Sequence, residues 1–217
     1  MVLISEVKEN ANIMKTGTTT AGIVCKDGIV LAADQKATMG NIVASKEAMK
    51  VFKITENMGM TIAGSVGDAQ AMVRVLRAEM KLYEMEQGEV TIKAAATLLG
   101  NILRASYKSF TPELVQLLLG GVDRRGPSLY SLDAAGGISE EKEFTFSGSG
   151  SVIAVGVLED QYKKDMSVEE GVDLLLRAIK AARERDVFSG GKSITILKIT
   201  KDKSEFVPQE YIEKKLA

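Results

Sequence analysis

The order in which strand-like and helix-like segments follow one another is the feature of this sequence that most constrains its fold. Short apolar segments rich in β-branched residues come first, two amphipathic helical segments follow, and strands and then helices return in the second half. Strict alternation of strand and helix favours a parallel sheet, whereas grouped strands with short turns favour antiparallel pairing. The order therefore predicts an α+β fold, a four-layer αββα sandwich of two antiparallel sheets covered by helices.

The clearest strand signal is a hairpin near the start of the chain. Two apolar runs, 19–25 and 28–33, meet at Asp27-Gly28, a dipeptide that readily adopts the positive φ angles of a tight turn. A second hairpin is predicted around a turn at 57–59. The remaining strand predictions are a short segment at 38–44 and strands at 51–54, 60–63, 115–122, 128–132, 144–146 and 193–199.

Helices are predicted where apolar residues recur at helical spacing and capping residues mark the ends. The stretch 152–162 stays undecided, because its Val and Ile content favours a strand while its length and Ser-rich entry favour a helix. The predicted helices run from an N-cap at Asp68 to about Gly88, from 92 to a stop at Thr111-Pro112, from a capping box at 167–170 to Arg185, and from Pro208 to Ala217.

Composition excludes several classes of protein. A chain of 217 residues fits one domain, and its longest apolar runs are well short of the ~20 residues that cross a bilayer. Residues 1–17 carry mixed charges without the apolar core of a signal peptide, so a cytoplasmic protein with a short leader is expected. The net charge of −1 argues against a nucleic-acid surface. The single cysteine, Cys25, lies in an apolar run and is expected to be a buried thiol.

The sequence contains no histidine, which removes the Ser-His-Asp triad, the Cys-His pair and the usual zinc hydrolase sites. An enzyme built from this chain needs another base. Cleavage between Gly17 and Thr18 would supply one, because an N-terminal threonine carries a hydroxyl nucleophile and an α-amine that titrates at about 7.7–8.0. The alternative is that the three threonines at 18–20 merely begin a strand, which β-branched residues favour.

Several short motifs stand out along the chain, each of them weak alone. They are GTTTAG at 17–22, Asp34 after Ala33, Lys50, MTIAG at 60–64 with GDAQ at 67–70, QLLLGG at 116–121 with Asp123, LDAAGG at 132–137, GSGS at 148–151 and RDVFSGG at 185–191. In order and spacing they resemble the β-subunit family of the archaeal 20S proteasome, from Gly17 to about residue 200. That family belongs to the N-terminal nucleophile (Ntn) hydrolases, so the resemblance implies their αββα fold.

The resemblance implies that residues 1–17 are a propeptide removed by self-cleavage, leaving a peptidase domain at 18–217. Thr18 then attacks a peptide carbonyl through its hydroxyl and forms an acyl-enzyme that water hydrolyses. An apolar pocket beside Thr18 implies cleavage of unfolded polypeptides after hydrophobic residues. The residues aligned with that pocket are Ala37, Ala48, Ile62, Val66 and Gln70.

Further site residues follow from the same motifs. Lys50 matches a lysine whose charge favours the neutral Thr18 amine, and Asp34 matches the carboxylate that pairs with it. By local pattern alone, Lys50 is a surface charge and Asp34 a turn residue. Gly64 matches a glycine whose backbone N–H faces the tetrahedral intermediate. The polar group expected around the mature N-terminus consists of Ser149, Asp186 and Ser189.

The resemblance also implies an assembly. The family's archaeal members form seven-membered β rings stacked in pairs, flanked by α-subunit rings, with unfolded substrates delivered by an ATPase or other cap. Asp133 matches a position that reaches a neighbouring subunit's site. No metal or other cofactor is expected. Two rival hypotheses are a non-catalytic subunit of the same barrel and an Ntn amidase acting on small amides.

Overall fold

The computed structural model describes residues 17–109 and 114–216. In chain order the strands are β1 (Thr20–Cys25), β2 (Gly28–Asp34), β3 (Ala37–Met39), β4 (Ile42–Ser45), β5 (Val51–Thr55), β6 (Met58–Gly64), β7 (Val115–Asp123), β8 (Gly126–Leu132), β9 (Ile138–Glu141), β10 (Phe144–Ser147), β11 (Ile194–Thr200) and β12 (Ser204–Phe206). The helices are α1 (Val66–Gln87), α2 (Ile92–Lys108), α3 (Ser151–Gln161), α4 (Val168–Arg185) and α5 (Gln209–Leu216).

The strands form two five-stranded antiparallel sheets and a separate hairpin. The first sheet has the order β10-β1-β2-β11-β12, the second has the order β5-β6-β7-β8-β9, and β3 pairs with β4. The outer face of the first sheet packs against α3, α4 and α5, and that of the second packs against α1 and α2. The predicted α+β four-layer αββα sandwich is confirmed.

The central strand β2 shows how sequence alternation builds these layers, since every one of its residues is buried. Ile29 and Leu31 face the second sheet, where they pack with Leu129, while Val30 and Ala32 face the helices. This alternation follows from the two-residue period of a strand. Each fully buried Leu or Ile side chain contributes roughly 1.5–3 kcal/mol, so the fold depends on β2 being apolar on both faces.

The predicted hairpin of β1 and β2 is confirmed, with Cys25 paired opposite Gly28, but its turn is at 26–27, and neither Asp27 nor Gly28 has the positive φ that the sequence predicted. Burial of Cys25 raises the pKa of its thiol to about 12, as expected for a structural cysteine. The second predicted hairpin is formed by β5 and β6, with its turn at 56–57. The capping box that starts α4 is also present, because Ser167 and Glu170 each bond the other's backbone N–H.

Some boundaries differ from the sequence predictions. Asp68 is not the N-cap of α1, because the helix begins one turn earlier after Ser65, and the Asp68 carboxylate instead accepts the N–H of Leu114 at 3.3 Å. The segment 38–44 is two strands, β3 and β4, because Gly40 turns the chain with φ of 60°. The undecided stretch is helical, as α3.

Two strands, β9 and β12, were not predicted. The predicted helix stop at Thr111-Pro112, the last residue Ala217 and residues 1–16 of the predicted propeptide lie outside the described residues. Within the described ranges, every helix is too short or too polar to span a membrane.

Pairing of the strands gathers several chain segments at one end of the sandwich. β1 begins where β2 ends, with Thr20 opposite Ala33, and β11 begins opposite Asp34. The turn between β10 and α3 lies beside the same end, since Thr20 also pairs with Ser147. Thr18 therefore lies where four strands of the first sheet, β1, β2, β10 and β11, begin or end.

Candidate active site

Thr18 lies just before β1, where it is 4% exposed and joined to Gly17 by a peptide bond. Its N–H donates to the Ser149 hydroxyl at 3.3 Å, and its carbonyl accepts the N–H of Gly150 at 3.3 Å. The turn that provides these contacts needs a glycine, because Gly148 has φ of 89° and a Cβ there would lie 2.1 Å from the Thr18 carbonyl oxygen. The turn before α3 thus fixes the Thr18 backbone.

Asp34 and Lys50 form a buried ion pair, with 2.7 Å between Lys50 Nζ and Asp34 Oδ1. Asp34 closes β2 and is fully buried, while Lys50 immediately precedes β5. The two Asp34 oxygens also accept the backbone N–H groups of Thr19 (2.9 Å), Lys36 (3.1 Å) and Gly190 (2.8 Å). A buried carboxylate with four donors is held firmly in place.

The environment of Lys50 works against its positive charge. Burial lowers the pKa of its ammonium below the ordinary lysine value, and this effect outweighs the opposing attraction of Asp34 and the weaker attraction of Asp186. Lys50 therefore gives up its proton more easily than a surface lysine does. Removal of either aspartate charge lowers its pKa further.

The predicted polar group is arranged around the Asp186 carboxylate. Its Oδ2 atom accepts the hydroxyls of Ser149 and Ser189, both at 2.6 Å. Ser149 connects this group to the Thr18 N–H, whereas the Ser189 hydroxyl lies 2.6 Å from Thr19 Oγ1. The structure therefore brings all three residues together, with Ser149 contacting Thr18 and Ser189 contacting its neighbour.

A cavity of about 460 Å³ opens beside Thr18 and is lined mostly by apolar side chains. All five residues predicted for the substrate pocket line it, together with Gly17, Thr18, Lys50 and Gly64. The lining residues that sequence analysis did not name are Thr38, Ser45, Met49, Phe52 and Ala63. Strand alternation could have identified Phe52, because it lies two positions after Lys50 at the start of β5 and so shares its face.

Gly64 is the last residue of β6 and lines this cavity. Its φ is 110°, and a Cβ at this position would lie 2.1 Å from the carbonyl oxygen of Leu114. Both the dihedral angle and the neighbouring backbone require glycine here. Asp133 lies elsewhere, in the turn after β8, where its carboxylate accepts the N–H groups of Ala135 and Gly137 at 2.8 and 2.9 Å.

The fold and the site define a class of protein. Two antiparallel sheets between helix layers, with a threonine before the first strand and a cavity beside it, form the sandwich of the Ntn hydrolases.

Comparison with known proteins gives the family. The family model described as Proteasome subunit matches residues 14–199. The chain is 54% identical over 200 residues to the proteasome subunit beta of Methanococcoides burtonii. The matched region covers 92% of this chain and 94% of that protein. It is also 54% identical over 205 residues to the proteasome subunit beta of Methanocaldococcus jannaschii, over 94% of this chain and 90% of that one. The chain belongs to the proteasome subunit family, as its motifs predicted.

Proposed function

We propose that this chain is the proteolytic β subunit of a proteasome core, a threonine endopeptidase whose nucleophile is the Thr18 hydroxyl. The observation that carries the proposal is the position of Thr18 on the wall of the cavity that the buried Lys50 also lines. Family membership supports peptidase activity, and a chain without histidine needs another base, which the α-amine of an N-terminal Thr18 would supply.

Activation consists of a cut between Gly17 and Thr18. The Thr18 hydroxyl oxygen forms a bond to the Gly17 carbonyl carbon and loses its proton. The bond from that carbon to the Thr18 nitrogen breaks, and the nitrogen takes up a proton to become a free amine. Water then hydrolyses the ester, which restores the hydroxyl and leaves Gly17 with a carboxylate. Residues 1–17 are released as a propeptide from the peptidase domain 18–217.

The mature chain repeats this chemistry on substrates. The neutral α-amine of Thr18 accepts the hydroxyl proton while the hydroxyl oxygen attacks the substrate carbonyl. The amine then passes that proton to the departing nitrogen, and water hydrolyses the acyl-enzyme. The charge of Lys50, anchored by Asp34, favours the neutral amine and the developing negative charge on the oxygen.

Four further residues support these steps. The backbone N–H of Gly64 stabilises the oxyanion of the tetrahedral intermediate, a contribution worth roughly 10²–10³ in rate in other enzymes. Ser149 and Asp186 orient the amine, because the Ser149 hydroxyl already contacts the Thr18 nitrogen and Asp186 at once. Ser189 completes this hydrogen-bond group from the Asp186 side.

Specificity comes from the cavity wall. Ala37, Ala48, Ile62 and Val66 provide apolar surface, and Gln70 lies on the same wall. Such a lining favours a hydrophobic side chain on the acyl side of the cleaved bond. A cleavage map with strict preference after Lys or Arg would contradict this specificity.

The chain works in an assembly. Its membership of the family supports incorporation into a proteasome core with other subunits. We expect two stacked seven-membered β rings flanked by α-subunit rings in the cytoplasm, with unfolded polypeptides delivered by an ATPase or other cap. A closed barrel of this kind keeps folded proteins away from the site.

Two measurements test the proposal. Hydrolysis of a hydrophobic fluorogenic peptide is expected to be lost in Thr18→Ala and retained in Thr18→Ser, which keeps a hydroxyl. Equal turnover by Thr18→Ala and the unaltered chain would rule out this nucleophile. The intact mass of assembled particles is expected to show loss of residues 1–17, and a persistently full-length chain would exclude processing.

A further inference from the structure

Gly17 packs directly against Phe188, which the proposed mechanism does not use. A Cβ added to Gly17 would lie 1.6 Å from Phe188 Cβ, 2.5 Å from its Cγ and 2.9 Å from its Cα. Carbon atoms that are not bonded to each other pack at about 3.5–4.0 Å. Position 17 therefore accepts only glycine as long as Phe188 stays in place.

The loop that carries Phe188 is tied to the site on both sides. The Phe188 N–H donates to Asp186 Oδ1 at 3.4 Å, and the Gly190 N–H donates to Asp34 Oδ2 at 2.8 Å. Lys36 Nζ also donates to the Val187 carbonyl at 2.6 Å. Retreat of Phe188 would disturb contacts to both aspartates, so its backbone, its Cβ and the first atom of its ring all stay against Gly17.

The backbone N–H groups of Gly17 and Thr18 also have partners. The Gly17 N–H points to Thr38 Oγ1 at 3.5 Å, a long contact, and the next N–H, that of Thr18, is held by Ser149. Gly17 also lines the cavity.

We propose that Phe188 is a positioning residue for self-cleavage, because it holds Gly17 where the Thr18 hydroxyl can reach its carbonyl carbon. This inference rests on the proposed function, and it assigns to Phe188 a role confined to the precursor. Once residues 1–17 have left, the contact no longer exists. Substitution of Phe188 therefore slows processing and spares peptide hydrolysis by the mature chain.

The first test separates these two activities. Phe188→Ala is compared with Val187→Ala, a neighbouring control whose side chain is 76% exposed. Processing, followed by intact mass during assembly, is expected to slow at least about tenfold in Phe188→Ala and to be unchanged in the control, since misplacement of reacting atoms is costly. The same variants are also produced behind a carrier domain whose removal leaves Thr18 as the N-terminus. Their rates of peptide hydrolysis are expected to lie within about twofold of the rate of the unaltered chain.

The second test uses the geometry of the contact. Gly17→Ala is expected to block processing, and adding Phe188→Ala should not relieve the block, because alanine keeps the Cβ that lies closest. Adding Phe188→Gly removes that Cβ and leaves the Cα at 2.9 Å as the nearest atom, so processing is expected to recover in part. Failure of Phe188→Gly to improve on Gly17→Ala alone would overturn the steric argument.

The outcomes distinguish this inference from the proposed function. An unaltered chain that is never cut after Gly17 contradicts self-cleavage itself. An unaltered chain that is cut, with Phe188→Ala cut at the same rate, contradicts only the role of Phe188. In a third outcome, Phe188→Ala slows processing of the precursor and slows peptide hydrolysis by the Thr18-initiated chain to the same extent. That result would show a general structural role for Phe188 and would also overturn the inference.

Discussion

Two aspartates lie in the hydrogen-bond network around Thr18, and they differ in burial and in partners. Asp34 is fully buried and accepts the Lys50 ammonium and three backbone N–H groups. Asp186 is half-buried and accepts two serine hydroxyls at 2.6 Å and a longer backbone contact. A buried carboxylate with a cation is costly to disturb, whereas a half-exposed one can exchange partners with water. Asp34 therefore fixes a charge, and Asp186 orients hydroxyls.

The largest expected effect is that of Asp34→Asn. The amide of asparagine places an NH₂ group among four donors and leaves Lys50 buried without its counter-charge. The free energy of unfolding is therefore expected to fall by about 3–5 kcal/mol. The matched change Asp186→Asn is expected to cost roughly 1 kcal/mol. Denaturant unfolding of the two variants measures the difference. Equal destabilisation would remove the distinction between the two aspartates.

Lys50→Ala tests the charge that Asp34 holds. In a chain produced with Thr18 as N-terminus, peptide hydrolysis is expected to fall by roughly 10²–10⁴, because the amine loses the cation that keeps it neutral. The control is Lys198→Ala, which removes a partly exposed lysine paired with Glu205 at 2.9 Å. Hydrolysis at an unchanged rate in Lys50→Ala would contradict the role of the buried pair.

The two serines allow the Asp186 side to be dissected. Ser149→Ala removes the hydroxyl that contacts the Thr18 nitrogen and is expected to lower kcat roughly 10–100-fold, equivalent to one strong hydrogen bond. Ser189→Ala removes a hydroxyl that contacts Thr19 instead and should have the smaller effect. Steady-state kinetics of both variants decides the order. The reverse order would mean that the Ser189 hydroxyl, and not that of Ser149, has the larger part in orienting the Thr18 amine.

The smallest expected effect is a shift in the pH profile. The Lys50 ammonium is charged only below its pKa, which burial lowers and which Asp34 raises more than Asp186 does. Loss of either carboxylate charge lowers that pKa, so the alkaline limb of kcat/KM should move to lower pH. The move should be larger in Asp34→Asn than in Asp186→Asn. A larger move in Asp186→Asn would contradict the ranking of the two aspartates.

The fold was predictable from sequence where local chemistry and tertiary pairing agree. The Ser167–Glu170 capping box specifies its own geometry and is present in the structure. The hairpin of β1 and β2 also forms, with its turn at 26–27, one residue before the predicted Asp27-Gly28. β9 was missed because its residues are exposed or half-buried and show no apolar alternation. It is a strand because it pairs with β8, where Ile138 of β9 lies opposite Leu132 of β8. Such an edge strand depends on its neighbour more than on its own sequence.

The site was predictable only in part. Composition and the Gly17-Thr18 step suggested a nucleophile, but Ser149 lies 131 residues from Thr18 along the chain, and no local pattern relates them. Family motifs supplied those positions. The contact of Gly17 with Phe188 could not be predicted, because a glycine that is required by a close neighbour looks the same in sequence as one required by its own backbone.

Direct capture of the acyl-enzyme tests the central claim that Thr18 is the nucleophile. Assembled particles hydrolysing a hydrophobic peptide ester are quenched in acid, and the acyl group is located by mass spectrometry of peptide fragments. One acyl group is expected on the N-terminal fragment that begins with Thr18, and none in Thr18→Ala. An acyl group on another residue, or active particles in which Thr18 is still joined to Gly17, would contradict that claim.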